Sequence, residues 1–386
     1  MTQSGVTYSG GPIFDGQNLL GGYAITLGNG RVIDIGPAKD ISGQGELVDL
    51  GGDIIAPGYV DLQVNGGDGV MLNDDPSPET LVRMARAHGR LGTGTILPTL
   101  ITDTREKTHA TIEAAKVAIR DGLNGIGGLH LEGPHLSVAR KGAHDPNLIR
   151  PMEDTDLQML VTAARELPAL MITIAPESTT LDQVRALSKA GVVVSLGHTD
   201  ADFSTCMRYA MAGARCATHL FNAMSQLNSR EPGLVGAVLS NGDLSAGLIA
   251  DGIHVHPQTM RAAFDAKTGP GEIFLVSDAM APAGTDIGKF ELEGRRITRS
   301  NGRLTLSDGT LAGADLDLTT AIRVLVNEVG VGLSDALRAA SSIPARLAGL
   351  PGNVGAIQPD KKCDVIRISS DLTTVRNVGA DFEEID

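Results

Sequence analysis

Tryptophan is absent from the 386 residues, tyrosine occurs four times and phenylalanine seven. That scarcity excludes a sugar site built on stacked indoles and a nucleic-acid platform rich in rings. Cysteine is nearly as rare: Cys206, Cys216 and Cys363 have neither close pairing nor zinc-knuckle spacing, so a reduced compartment is expected. No apolar run approaches the ~18 residues that read as a membrane span, and the first residues lack a cationic stretch leading into an apolar one. The expected setting is cytoplasmic, without a membrane. Positive charge is in deficit, with 32 Lys and Arg against 46 Asp and Glu and a net charge of -14. Such a chain repels a nucleic-acid backbone, although one local cationic pocket stays compatible with it.

Glycine, in contrast, is abundant at 48 residues, above the usual ~7%. It follows no fixed period and therefore signals tight turns and close backbone approaches. The hydrophobic share of 42% is ample for a large core and more than one domain.

Residues 1–57 read as short extended pieces. Tyr23-Ala24-Ile25-Thr26-Leu27 and Arg31-Val32-Ile33-Asp34-Ile35 flank Asn29-Gly30, a hairpin signal. Near the other end, Cys363-Asp364-Val365-Ile366-Arg367-Ile368 also reads as a strand. Neither fragment alone buries an apolar face, so one small β domain is expected from residues 1–57 and 358–386 together. Between them, over 58–357, short β runs alternate with helical patterns at 78–91, 104–121, 155–166, 181–190, 201–212 and 335–347, the last interrupted or capped near Pro344. That alternation predicts a (β/α)₈ barrel, with a doubly wound open sheet as the alternative. No nucleotide-binding glycine pattern supports the alternative. The segment from Asp286 to Thr310 alternates around Asn301-Gly302 and predicts a β-hairpin over the mouth of the barrel.

Four apolar runs end in residues able to bind a metal or move a proton. They close on Glu132, His198, His219 and Asp278. In a parallel barrel the carboxyl ends of the strands carry the reaction site. Glu132, His198 and His219 offer one carboxylate and two imidazoles, leaving a fourth position for water around one catalytic divalent ion. Zn²⁺ is the first choice, and Fe²⁺ or Co²⁺ suit the same ligands. Asp278 is the candidate general base and acid. The structural alternative for each is a polar side chain capping a strand end.

Several further stretches carry a family resemblance. Pro57-Gly58-Tyr59-Val60-Asp61-Leu62-Gln63-Val64-Asn65-Gly66, His130-Leu131-Glu132-Gly133-Pro134, Gly197-His198-Thr199, His219-Leu220-Phe221-Asn222-Ala223-Met224, Asp251-Gly252-Ile253-His254 and Ser277-Asp278-Ala279-Met280 stand in order along nearly the whole chain. With them the sequence resembles the amidohydrolase superfamily and, within it, the N-acetylglucosamine-6-phosphate deacetylases. The resemblance implies a distorted (β/α)₈ barrel with a β domain from both chain ends, and hydrolysis of the acetamide of N-acetyl-D-glucosamine 6-phosphate by a homodimer with one metal per subunit. It implies that Glu132, His198 and His219 bind the metal, that Asp278 is catalytic, and that His254 holds the amide carbonyl or a sugar hydroxyl. It also implies that His144 meets the sugar and that Asn222, the Ala223 backbone and Arg230 receive the phosphate, Arg230 from its own or the neighbouring subunit.

Where many members of the superfamily have His-x-His, this chain has Gln63-Val64-Asn65. Neutral amides ligate Zn²⁺ poorly, so Gln63 and Asn65 are expected to hold water or hydrogen-bond around the site, with a weak second metal as the alternative. Two competing functions remain at this level. One is a related amidohydrolase acting on another N-acyl amino sugar or a cyclic amide; the other is a metal-stabilised sensor that binds an amino-sugar phosphate without hydrolysing it.

Overall fold

The computed structural model describes residues 5–41 and 45–378. Its centre is an eight-stranded parallel sheet that runs in chain order from Tyr59–Val64 through Thr93–Ile101, Leu129–Glu132, Leu170–Ile174, Val193–Leu196, Cys216–Ala217 and Ser245–Leu248 to Ile273–Leu275. Most strand residues are buried, because helices cover the outside and side chains fill the inside. The first and last strands meet through one parallel bridge, Val64 to Ala279, and a 3.0 Å bond from Asp278 N–H to the Gln63 carbonyl. The ring therefore closes just beyond the carboxyl ends of these strands rather than along a full ladder, which makes the barrel distorted.

Helices form where apolar residues recur beside a capping side chain. Pro78–Arg90 starts at Ser77, whose hydroxyl accepts from Thr80 N–H, and Arg105–Arg120 starts at Thr104 in the same way. Asp154–Ala163, Leu181–Lys189 and Phe203–Ala212 follow the expected pattern. The last expected helix is two, Leu333–Ala339 and Ser342–Leu347, because Pro344 belongs to the first turn of the second, where its missing N–H costs nothing. Helices Gly233–Ser240, Pro257–Ala266 and Leu318–Val324 were not evident in the sequence pattern. The first of these is buried along nearly its whole length, so it has no polar face to give a period.

The segment expected as a hairpin holds three antiparallel strands, Lys289–Leu292, Arg295–Ser300 and Arg303–Thr305, and a fourth just beyond it, Leu311–Ala314, completes a meander. Leu292, Ile297, Leu304 and Ala312 pack with Met71, Ile101 and Met280 in a small separate core. That apolar face is why the segment needs a fourth strand and docks on the barrel mouth.

Strands from the two ends of the chain meet in one sheet. Val365–Ile368 pairs antiparallel with Ile54–Pro57, which also neighbours Ile13–Phe14. A second sheet joins Gly5–Ser9, Tyr23–Gly28, Arg31–Pro37 and Gly45–Asp49. Residues 379–386 of the expected C-terminal contribution lie outside the described residues. Ile366 is fully buried opposite Ala56. Ile366→Ala is expected to lower the unfolding free energy by about 2–5 kcal/mol in urea titration. A loss under about 1 kcal/mol would mean that the C-terminal strand contributes little to the folded unit.

Candidate active site

The four candidate residues stand at four consecutive or near-consecutive strand ends. Glu132 is the last residue of its strand, and His198, His219 and Asp278 follow theirs within three residues. His198, His219 and Asp278 adopt positive φ, at 47°, 32° and 50°. Non-glycine residues enter that region at a cost of roughly 1–3 kcal/mol each. Here the bend turns each side chain inward at the barrel rim.

Three ligand atoms converge. His198 Nε2 lies 3.0 Å from His219 Nε2, and Glu132 Oε1 is 3.4 Å from the first and 3.1 Å from the second. Bonds of ~2.0–2.1 Å at tetrahedral angles place ligands roughly 3.3 Å apart, so this triangle matches one face of such a site. His198 Nδ1 is 2.8 Å from the Arg140 carbonyl. A carbonyl only accepts, so the proton sits on Nδ1 and the Nε2 lone pair faces the cluster. His219 Nδ1 has no side-chain or ordered partner beyond its own residue. Burial pushes the Glu132 carboxyl up, but the imidazoles of His198 and His219 outweigh it and hold the group well below the usual carboxylate range. Donor types, spacing and electrostatics all fit a divalent cation.

Asp278 stands beside this cluster with its side chain buried. Its Oδ1 accepts from Asn65 Nδ2 at 2.7 Å and from Gln63 Nε2 at 3.1 Å. Gln63 Nε2 also lies 3.1 Å from Glu132 Oε1. Burial, followed by the Glu132 charge, raises the Asp278 carboxyl to about 6. A carboxyl near neutrality can both take and return a proton.

The same cavity, about 270 Å³, is lined by His144, Asn222, Ala223 and His254 besides Asn65 and the metal-ligand candidates. His144 Nδ1 receives the Thr102 backbone N–H at 3.3 Å and lies 2.8 Å from the Thr102 hydroxyl. A backbone N–H only donates, so the neutral ring carries its proton on Nε2 as a donor. Burial, then the neighbouring His198, pushes the His144 ring down to about 3, which keeps it neutral. His254 Nδ1 lies 2.6 Å from Asp251 Oδ2. Arg230 is the exception. It lies in the exposed segment 226–231, outside the cavity lining, and makes no ion pair among the described residues.

Thr102 and Asp251 carried no expected role, and neither did the meander residues Leu292, Thr310 and Leu311 that line the cavity. Asp251-Gly252-Ile253-His254 was visible as a stretch, but only the fold shows the carboxylate bent back onto the ring.

A parallel barrel with a buried Glu–His–His cluster and an aspartate at its closing strand defines a hydrolase of the metal-assisted barrel class. The model of the Amidohydrolase family matches residues 54–384, and the chain belongs to that family. An N-acetylgalactosamine-6-phosphate deacetylase of Shewanella sp. is 41% identical over 317 residues, covering 82% of this chain and 79% of that protein. An N-acetylglucosamine-6-phosphate deacetylase of Haemophilus influenzae is 33% identical over 353 residues, covering 90% and 91%. Among solved structures, N-acetylglucosamine-6-phosphate deacetylase from Pasteurella multocida superposes with a TM-score of 0.90 at 31% identity, covering 98% of this chain and 99% of that one.

Replacing one ligand candidate should empty the cluster without unfolding the barrel. His219→Ala protein is expected to lose its tightly held divalent ion by elemental analysis while keeping its far-ultraviolet circular dichroism. Retention of one ion per chain would remove His219 from the ligand set.

Proposed function

We propose that this chain hydrolyses the acetamide of N-acetyl-D-glucosamine 6-phosphate, releasing D-glucosamine 6-phosphate and acetate. The observation that carries this reading is the convergence of Glu132, His198, His219 and Asp278 on one small-molecule cavity that also contains His144, Asn222 and His254. One divalent ion per chain, with Zn²⁺ the first choice, is held by Glu132, His198 and His219. When bound it supplies Lewis acidity toward a carbonyl and acidifies water in the site.

The chain's own groups do the rest. Asp278 accepts a proton from the attacking water at its carboxylate and later delivers one to the departing nitrogen, because an unprotonated amide nitrogen leaves poorly. Asn65 and Gln63 orient that carboxylate through their amide N–H groups. His254 presents Nε2 as an acceptor to a sugar hydroxyl. His144 donates from Nε2 to a sugar hydroxyl. Asn222 and the Ala223 backbone take the phosphate at the outer end of the cavity. Arg230 is supplied by the second subunit of a homodimer, a reading supported by its exposure and by its absence from the lining of its own cavity. Phosphate contacts remote from the scissile bond commit binding energy to orienting the acetamide.

A second reading has a specific observation behind it. Two relatives, at 41% and 35% identity, are named as acting on N-acetylgalactosamine 6-phosphate. That substrate differs from the first only in the configuration at C4, so the same metal, aspartate and histidine chemistry serves both. A crystal structure of a Mycobacterium smegmatis mutant deacetylase, 30% identical with a TM-score of 0.88, holds N-acetyl-D-glucosamine 6-phosphate, which supports placing the gluco sugar first.

Asp278→Asn is expected to lower acetate release by about 10²–10⁴-fold while the metal content stays at the wild-type level. Near-normal turnover in the metal-loaded variant would reject proton transfer by Asp278. For the wild type, kcat/KM should fall at least about 100-fold when the 6-phosphate is removed, since two or three charge-assisted bonds are lost. Parallel assays of the gluco and galacto 6-phosphates decide the epimer. A tenfold preference for the galacto sugar would establish the second reading, and no acetate from either would exclude both.

A further inference from the structure

The loop leaving the seventh barrel strand, Ser245–Leu248, passes through buried Ile249 and Ala250 and then folds around one carboxylate. Asp251 Oδ1 accepts the backbone N–H groups of Ile253 and His254, each at 2.8 Å. Gly252, between Asp251 and Ile253, has a φ of +72°, the left-handed conformation that this tight turn requires and that glycine adopts freely. The second oxygen, Oδ2, is left for the His254 ring at 2.6 Å. Both side chains are almost wholly buried, at 7% exposed for His254 and 5% for Asp251.

We propose that Asp251 is a positioning residue for the reaction: it clamps the His254 ring with the proton on Nδ1 and so fixes Nε2 as the nitrogen presented to substrate. The chemistry of the pair dictates the assignment. An ionised carboxylate has only acceptors, so a 2.6 Å contact to Nδ1 requires a proton on that nitrogen. An unrestrained imidazole exchanges between two tautomers and rotates about a soft χ2 torsion. The clamp removes both freedoms, because three hydrogen bonds tie the carboxylate to the turn that carries the ring. His254 lines the cavity shared with Glu132, His219 and Asp278, whereas Asp251 does not. Asp251 therefore acts through His254 and never touches substrate.

The carboxylate has a second effect. By holding the proton on Nδ1 it leaves the Nε2 lone pair facing the cavity, where it accepts from a substrate hydroxyl. Burial works against an ionised Asp251, but the His254 ring and the two backbone N–H groups outweigh it and keep the carboxyl below its usual range. The pair thus stands at the end of the seventh strand, next to the eighth strand, which leads to Asp278. Its catalytic consequence rests on the deacetylation reading; its geometry does not.

Asp251→Asn tests both parts. The amide keeps the size of the side chain and its oxygen can still cap the turn, but its NH₂ group would face Nδ1 and displace the proton to Nε2. Imidazole ¹⁵N spectra of zinc-loaded wild-type protein should show His254 protonated at Nδ1, and the variant should lose that signal. Acetate release should fall at least about tenfold in kcat with KM changed less than about threefold. In a His254→Asn background the Asp251→Asn change should add nothing, since the residue acts only through the ring. An unprotonated Nδ1 in the wild type would overturn the proposal, as would losses that multiply independently in the double variant. Should the wild type release no acetate from either hexosamine phosphate, the functional reading fails while the ¹⁵N spectrum still decides the clamp.

Discussion

Two carboxylates, Glu132 and Asp278, are buried within reach of a single amide group. Gln63 Nε2 lies 3.1 Å from an oxygen of each. Placing two negative charges so close in a low-dielectric interior is unfavourable unless positive charge stands between or beside them. The barrel resolves the conflict by giving the two groups different company. Glu132 faces two imidazoles and stays ionised, whereas Asp278 is left with neutral amide donors and rises to about 6. One becomes suited to ligation and the other to proton transfer. The pairing follows from topology, because Glu132 ends the third barrel strand and Asp278 follows the eighth, with Gln63 on the first strand reaching between them.

The scaffold around them has to be stiff, since three of the chemistry-bearing residues sit in strained backbone. Positive φ at His198, His219 and Asp278 is held because the strands beneath are fully buried and cross-braced. A polar layer lies directly below: His130 spans from the Leu62 carbonyl to the Thr173 hydroxyl, and Thr173, Thr218 and Ser195 continue it with 2.6 Å contacts. Burial keeps the His130 ring neutral, pushed down to about 4, so this layer adds directional bonds without adding charge. Such a satisfied network fixes the register of neighbouring strands more sharply than apolar packing alone.

Much of this was legible in the sequence because a parallel strand buried on both faces leaves a plain signature: an apolar run that stops abruptly. Glu132, His198, His219 and Asp278 could be found from those stops alone, and the helices between them from spacing and caps. What escaped lay in interactions with no local pattern. Asp251 sits three residues from the ring it holds, yet nothing in the stretch says that the carboxylate turns inward. Thr102 meets His144 across 42 positions. The meander looked like a hairpin because Leu311–Ala314 contains small residues, Ala-Gly-Ala, that give no alternating pattern and form a strand only by pairing with Arg303–Thr305. The place of Arg230, exposed and outside the cavity lining, was not legible either, since nothing in its stretch marks which residues will face the cavity.

The amides at Gln63 and Asn65 also bear on how many ions the site holds. Carboxylates offer only acceptors, so the Nε2 and Nδ2 ends must face Asp278, and the amide orientation is forced rather than free. A second cation placed there would need oxygen lone pairs turned inward, and the donors now aimed at Asp278 would then be lost. Asn65 Oδ1 is buried without a partner, which leaves one acceptor but not a ligand set. Amides at these two positions give the Asp278 carboxylate hydrogen-bond donors where imidazoles facing a cation would offer only lone pairs. Burial and the Glu132 charge hold the Asp278 carboxyl up at about 6, which in the proposed reaction suits a group that returns a proton to the leaving amine. The same amides that ligate poorly at the end of the first strand therefore orient the carboxylate that moves the proton in the proposed reaction.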